Sequence, residues 1–159
     1  LYSQLLDRAR GSDATLMLIF DEAHLLSGDA LVDLRLLVSS AIEVGPPMKI
    51  LLVGQDHIRQ TLKRSEYADI VNRISVRYQL RPLTKEQTRR YIDHQVVQHG
   101  GDSKIFDESV KDLIHDFTAG VPRSINNVAI ACLLGATAAR SVRIDDQAFH
   151  LAANEVHWN

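Results

Sequence analysis

The sequence predicts an α/β layer followed by an all-helical subdomain, with the change at about residue 82. Three observations predict it. Two short runs, TLMLIF at 15–20 and KILLV at 49–53, are continuously apolar, as strands buried in a parallel sheet are. Segments of helical period lie between the predicted strands, which implies right-handed crossovers. After Pro82 no strand-length apolar run occurs.

The elements follow in order. Leu1, Leu5, Leu6 and Ala9 share one helical face, and Gly11 ends that helix. TLMLIF is the first strand. Residues 28–44 repeat Leu31, Leu34, Leu37, Val38, Ala41 and Ile42 at helical spacing, and Gly45-Pro46-Pro47 closes the helix. KILLV is the second strand, closed by Gly54. Residues 56–72 read as one or two short helices. ISVRYQL at 74–80 has the β-branched and aromatic content of a third strand.

Beyond Pro82, Thr84 and Gln87 form a capping-box pair that opens a helix to about Gln98, before Gly100-Gly101. Asp107 is placed to cap a second helix through Val110, Leu113, Ile114 and Phe117, with Gly120 beyond its end. Pro122 suits a first-turn position of a third helix reaching about Arg140. Asp145 is placed to cap a fourth, with Ala148, Leu151, Ala152 and Val156 inward. The sequence shows no internal repeat and no low-complexity stretch.

Composition excludes several classes. The 45% hydrophobic and 24% charged fractions are those of a globular chain. A formal net charge of −2 gives no global attraction to nucleic acid or anionic membrane. The single cysteine, Cys132, cannot form an intrachain disulfide and suits a reducing compartment, so a cytoplasmic location is expected. No apolar run approaches the roughly 20 residues that span a bilayer, and no signal peptide is visible. The chain opens on Leu1 in what reads as mid-helix, so a piece of a longer protein is expected.

Candidate functional residues sit at the strand ends. The first strand runs into Asp21-Glu22, two like charges at the carboxyl end, where open parallel sheets collect ligands. One such carboxylate can hold Mg²⁺ through water, and the other can orient or deprotonate an attacking water. The plainer alternative is a solvated helix cap. Gln55 follows the second strand, where a neutral amide can hold a water or a phosphate oxygen. A turn residue after Gly54 is its alternative. Arg73 precedes the predicted third strand and can reach a phosphate in a neighbouring subunit, or serve in a surface ion pair. Arg77 shares its strand face and reads as a surface-pairing residue.

Arg123 stands in Gly120-Val121-Pro122-Arg123 at a helix N-terminus, where free N–H groups and the helix dipole favour an anion. The seven histidines, His24 among them, lack metal-binding spacing and read as surface or packing residues. Lys85, Arg89 and Arg90 read as a solvated helix face, with contact to a nucleic-acid backbone as the alternative.

Four signals stand in a fixed order: DEAH at 21–24, VGQ at 53–55, NR at 72–73 and GVPR at 120–123. They resemble the Walker B, sensor 1, arginine-finger and sensor 2 motifs of AAA+ ATPases. In detail LMLIFDEAH, KILLVGQ, NRISVRYQLRPLT and GVPRSINN are similar to segments of general secretion pathway protein A (ExeA-like) ATPases. Transposition ATPases of the TniB and Mu B type share them. The likeness runs from about Leu16 to Val156.

The resemblance implies that residues 1–81 are the C-terminal half of an AAA+ parallel-sheet core and 82–159 a helical lid. It implies ATP and Mg²⁺ as ligands and a homo-oligomer acting on a partner protein of a secretion or transposition complex. DNA is a further partner it allows, and membrane insertion by this segment is not expected. Asp21 would hold Mg²⁺, Glu22 activate water, Gln55 sense the γ-phosphate, Arg73 act on a neighbouring subunit's ATP and Arg123 report nucleotide state. The family's phosphate loop, G-x-x-x-x-G-K-[ST], would lie upstream of residue 1, and no stretch here resembles it. The alternative is a non-hydrolysing regulatory or interaction module. A DEAH-box helicase is a third reading, opposed by the helical pattern after residue 82.

Overall fold

The computed structural model describes residues 15–44 and 48–156, the side chains of residues 37–44 and of Met48 excepted. The helix expected at 1–10, its Gly11 stop and the Gly45-Pro46-Pro47 stop lie outside the described residues, as do the inward faces expected of Leu37, Val38, Ala41 and Ile42. The chain divides into two units, one running to Tyr78 and the other starting at Gln79.

In the first unit, β1 (Leu16–Phe20) and β2 (Met48–Leu52) pair in parallel, from Leu16 opposite Met48 to Phe20 opposite Leu52. Helix α1 (Gly28–Val44) makes the crossover between them. Helices α2 (Asp56–Thr61) and α3 (Ala68–Asn72) follow β2. Leu31 of α1 is fully buried, and so is Ala23 in the turn after β1. Phe20, Leu26, Ala30, Asp33 and Leu34 line a shallow, mostly apolar cleft of about 200 Å³.

Two expectations need correction. The strands are not covered on both faces. Leu16, Leu18 and Phe20 are half-buried, but Met17 and Ile19 are 52% and 61% exposed. A continuous apolar run records composition and not which face finds a cover. The third strand, expected at 74–80, does not pair among the described residues. Val76, Tyr78 and Leu80 there are more than four-fifths exposed. β-Propensity measures fit to a pleated surface, and a ladder also needs a partner backbone.

The second unit holds α4 (Lys85–Gln98), α5 (Glu108–Thr118), α6 (Pro122–Ala138) and α7 (Asp146–Val156). Their apolar stripes close on one core that includes Ile92, Phe106, Val110, Ile114, Val128 and Phe149. Each such side chain contributes about 1.5–3 kcal/mol through burial. The Thr84–Gln87 capping box forms in both directions. Asp145 accepts the Ala148 N–H at 2.9 Å and so caps α7. Asp107 stands at the N-cap of α5 but makes no capping bond; its Oδ1 accepts from Arg143 at 2.7 Å instead. Leu151, expected inside, is exposed, and Phe117 is only partly covered, edge-on to Phe149. A short parallel bridge, Phe106 to Ile144, ties the α4–α5 and α6–α7 connections together.

Ion pairs knit α4 to α5. Lys111 is almost fully buried, with Asp93 and Glu108 each 2.6 Å from its ammonium. Burial opposes that charge, but the two carboxylates outweigh it and hold the Lys111 pKa above its ordinary value. Arg89 grips Asp112 with two 2.7 Å bonds. Lys85 pairs with Asp116 and Arg90 with Glu86. The three cations that could have formed a backbone-binding patch are therefore each matched by a carboxylate.

Candidate nucleotide site at the strand ends

The two strands end side by side, and their following turns interlock. The Val53 N–H donates to the Phe20 carbonyl at 2.9 Å, and the Ala23 N–H donates to the Val53 carbonyl at 2.8 Å. The ladder thus runs one step past the strands and brings the Asp21–His24 turn against Val53–Gln55. Glycine at position 54 permits the approach. A β-carbon there would lie 3.1 Å from the His24 amide nitrogen and 3.2 Å from that of Ala23.

The turn itself is tight. Asp21 Oδ1 accepts the Glu22 N–H at 2.8 Å. Glu22 adopts left-handed backbone angles, φ 51° and ψ 35°. That conformation costs a non-glycine residue roughly 1–2 kcal/mol. The Leu25 N–H then bonds the Glu22 carbonyl at 2.9 Å, closing a 3-10 turn over Ala23–Leu25. Both carboxylates are exposed at the carboxyl ends of the strands. Gln55 precedes α2 as its N-cap residue, with no side-chain capping bond and an exposed side chain.

His24 links these pieces. Its side chain is only 12% exposed, and Nδ1 lies 3.3 Å from Glu22 Oε2. The same nitrogen lies 3.4 Å from the Gln55 backbone N–H, which points at it. The sequence reading gave His24 no role beyond surface or packing. The signal was available: a ring two residues after Glu22, in a turn that must pack on Gly54.

The turns that carry Asp21, Glu22 and Gln55 are thus held against each other. Arg73 lies elsewhere in the same unit, exposed, at the C-terminal end of α3, its N–H bonded to the Ile70 carbonyl at 3.0 Å. Arg77 does pair locally, donating to the Val71 carbonyl at 3.2 Å. Arg123 belongs to the second unit, exposed in the first turn of α6 behind Pro122. The Gly120 turn before it is pinned: the Leu83 N–H bonds the Gly120 carbonyl at 2.9 Å. Gly120 has φ +74°, and a β-carbon there would run into the Leu83 carbonyl oxygen.

The donor set suits Mg²⁺, a hard cation usually held by one or two carboxylates, waters and substrate phosphates. Asp21 and Glu22 are such carboxylates, and the described residues hold no cluster of three or more His, Cys, Asp or Glu that would make an all-protein cage. The apolar cleft near Phe20 offers a polyanion only the Asp33 carboxylate among its lining side chains.

Over 97–99% of its length the chain superposes on Thermotoga maritima RuvB structures. A point mutant gives a TM-score of 0.71 at 16% identity, and the RuvB Holliday junction branch migration motor gives 0.69 at 20% identity. The chain carries the AAA+ fold. It spans 49% and 47% of those two RuvB chains. In sequence it is 29% identical over 152 residues to general secretion pathway protein A of Aeromonas hydrophila, covering 96% of this chain and 28% of that relative. No family model matches the chain. The chain is thus similar in sequence to general secretion pathway protein A and in fold to RuvB. The AAA+ architecture here is a parallel two-stranded sheet with its helices, followed in sequence by the helical unit. Among the described residues no helix is long and apolar enough to cross a membrane.

Proposed function

We propose that the chain is the C-terminal part of an AAA+ module that binds and hydrolyses Mg-ATP. Its output is assembly or remodelling of a partner complex, in secretion or transposition. Residues 1–81 supply the core part and 82–159 the lid. The observation that carries the reading is the interlocked turn pair. The turns that carry Asp21, Glu22 and Gln55 lie at the carboxyl ends of adjacent parallel strands, and the Ala23–Val53 bond joins those turns, which supports the reading. Structural helix caps would not need that registration, nor a left-handed Glu22.

Within this reading Asp21 would hold Mg²⁺, which would supply charge stabilisation to the phosphates, and Glu22 would take the proton from the attacking water. Gln55 orients that water or a terminal phosphate oxygen without adding charge. Arg73 neutralises transition-state charge on the ATP of a neighbouring subunit in a homo-oligomer. Arg123, on the dipole-positive end of α6, reads the nucleotide from the lid. The cytoplasm, where ATP is abundant and Cys132 stays reduced, is the fitting compartment.

The alternative, a module that binds a partner without hydrolysis, keeps the fold and loses the chemistry. Glu22 favours the ATPase, since a binding module has no use for a water-activating carboxylate in a strained turn. The test is Mg-ATP hydrolysis by the full-length protein and its Glu22→Gln variant. Loss of turnover with retained ATP binding supports the ATPase. Nucleotide-independent partner binding with no turnover in the native protein supports the module.

A further inference from the structure

A helix as short as α3 does not hold itself. It has five residues, Ala68–Asn72, and one turn gains too few hydrogen bonds to offset its own nucleation. Its shape comes from what grips it, and two arginines do. Arg35 on α1, 34 residues before Asp69, sets its Nη1 3.0 Å from the Asp69 carboxylate. Arg77 reaches back from beyond the helix and donates to the Val71 carbonyl at 3.2 Å. That carbonyl also accepts the Ile74 N–H at 3.2 Å, and the Ile70 carbonyl accepts the Arg73 N–H at 3.0 Å. Tyr67, buried, anchors the chain just before α3. Arg73 stands between these ties. Its side chain is exposed and enters no ion pair or side-chain hydrogen bond among the described residues.

We propose that Arg77 and the Arg35–Asp69 pair are positioning residues that hold the turn presenting Arg73 to a phosphate on the next subunit. This rests on the reading of Arg73 as a group that acts in trans. A guanidinium stabilises developing charge only where its fork meets the phosphate oxygens, so its backbone has to be aimed before the subunits meet. The Arg35–Asp69 pair ties the start of α3 to α1, and Arg77 closes the turn that follows Arg73. Arg35 and Asp69 are 37% and 67% exposed, and exposed ion pairs add little to global stability. Their loss should therefore register at what α3 carries, not in folding. None of the three side chains belongs to the turns that carry Asp21, Glu22 and Gln55. A subunit without these ties keeps its own ATP site and fails only as a donor of Arg73.

The test uses mixed oligomers of the full-length protein, in which one subunit supplies the ATP site and its neighbour supplies Arg73. The acceptor carries Arg73→Ala. The donor carries Glu22→Gln, which silences its own site. Donors with native α3 should restore Mg-ATP turnover to the acceptor. Donors that also carry Asp69→Arg should restore a kcat lower by about tenfold or more, with KM for Mg-ATP within about twofold. Adding Arg35→Asp to that donor re-forms the pair with its charges exchanged, and should bring kcat back to within about threefold. Arg77→Met donors should fail as Asp69→Arg donors do, and Arg77→Lys, which can still donate to the Val71 carbonyl, should recover part of the rate. Placed in the acceptor instead, Asp69→Arg should leave the rescued rate within about twofold, which a general loss of structure would not. Full rescue by Asp69→Arg or Arg77→Met donors overturns the proposal. Equal loss when the same substitutions sit in the acceptor also overturns it, since the ties would then serve the whole subunit. No rescue by donors with native α3 refutes the trans reading of Arg73 itself, and the proposal falls with it.

Discussion

The two units solve their folding problem differently. The helical unit buries a continuous core, from Ile92 to Ala153, and pairs Lys85, Arg89, Arg90, Lys111 and Arg143 with carboxylates. The strand-bearing unit fully buries only Ala23, Leu31 and Tyr67 among its described hydrophobic residues. It leaves Met17, Ile19, Leu51, Val53, Val76 and Tyr78 substantially exposed. The helices close on themselves because four amphipathic stripes suffice to surround a core. A two-stranded sheet cannot do so, because each face and each edge needs a cover. The difference teaches where chemistry and stability reside. The unit holding the proposed reactive carboxylates is the one that leaves more of its strand residues exposed, and the helical unit is the one with the continuous core.

Changes in the first unit should therefore act on turnover, and changes in the second on stability or on reading the nucleotide. The largest effect expected is from Arg73→Ala in the full-length protein. Turnover should fall on the order of 10³-fold or more with ATP binding retained. Mixing that variant with a subunit that cannot bind ATP but keeps Arg73 should restore some activity. Normal hydrolysis by Arg73→Ala removes the arginine-finger assignment.

Next in size is the core of the helical unit. Residues 79–159 alone should melt cooperatively, and Ile114→Ala should cost them about 2–5 kcal/mol by denaturant titration. Met17→Ala in the 159-residue chain should change stability by less than about 0.5 kcal/mol, as exposed substitutions do. A larger cost at Met17 than at Ile114 would invert the comparison.

Cys132 offers a milder probe of the same unit. It is fully buried, and burial pushes its thiol up to about 11. Native protein should resist alkylation at neutral pH and react only on unfolding. Rapid native labelling would show that the helical core opens easily. The smallest effect belongs to Asp112. The Arg89 bond holds its carboxyl below the usual carboxylate range. A depressed native pKa adds stability at higher pH that is lost as pH falls through that native value. Asp112→Asn should flatten the acid limb of the stability curve of residues 79–159, and an unchanged limb would show that the pair contributes nothing.

Periodicity and caps made the helices legible, since Thr84–Gln87, Pro122 and Asp145 act through local chemistry that sequence displays. Asp107 departs from that rule: its carboxylate meets Arg143, a side chain distant in sequence, and makes no cap. Residues 74–80 misled because pairing depends on a partner that β-propensity does not encode. At the site, Asp21, Glu22 and Gln55 could be read from their places after apolar runs. Their registration could not, because it depends on the Ala23–Val53 bond and on the space at Gly54. The contacts of His24 were hidden for the same reason: they exist only once two turns meet.

The central claim is that Asp21, Glu22 and Gln55 form part of a Mg-ATP site that also needs a phosphate loop. Two carboxylates alone repel a polyanion, and a phosphate loop supplies backbone N–H groups and a lysine. Calorimetry with Mg-ATP on the 159-residue chain and on a chain extended upstream tests it directly. The account predicts micromolar binding by the extended chain and binding no tighter than about millimolar, roughly −4 kcal/mol, by the 159-residue chain. Micromolar binding by the 159-residue chain would contradict it.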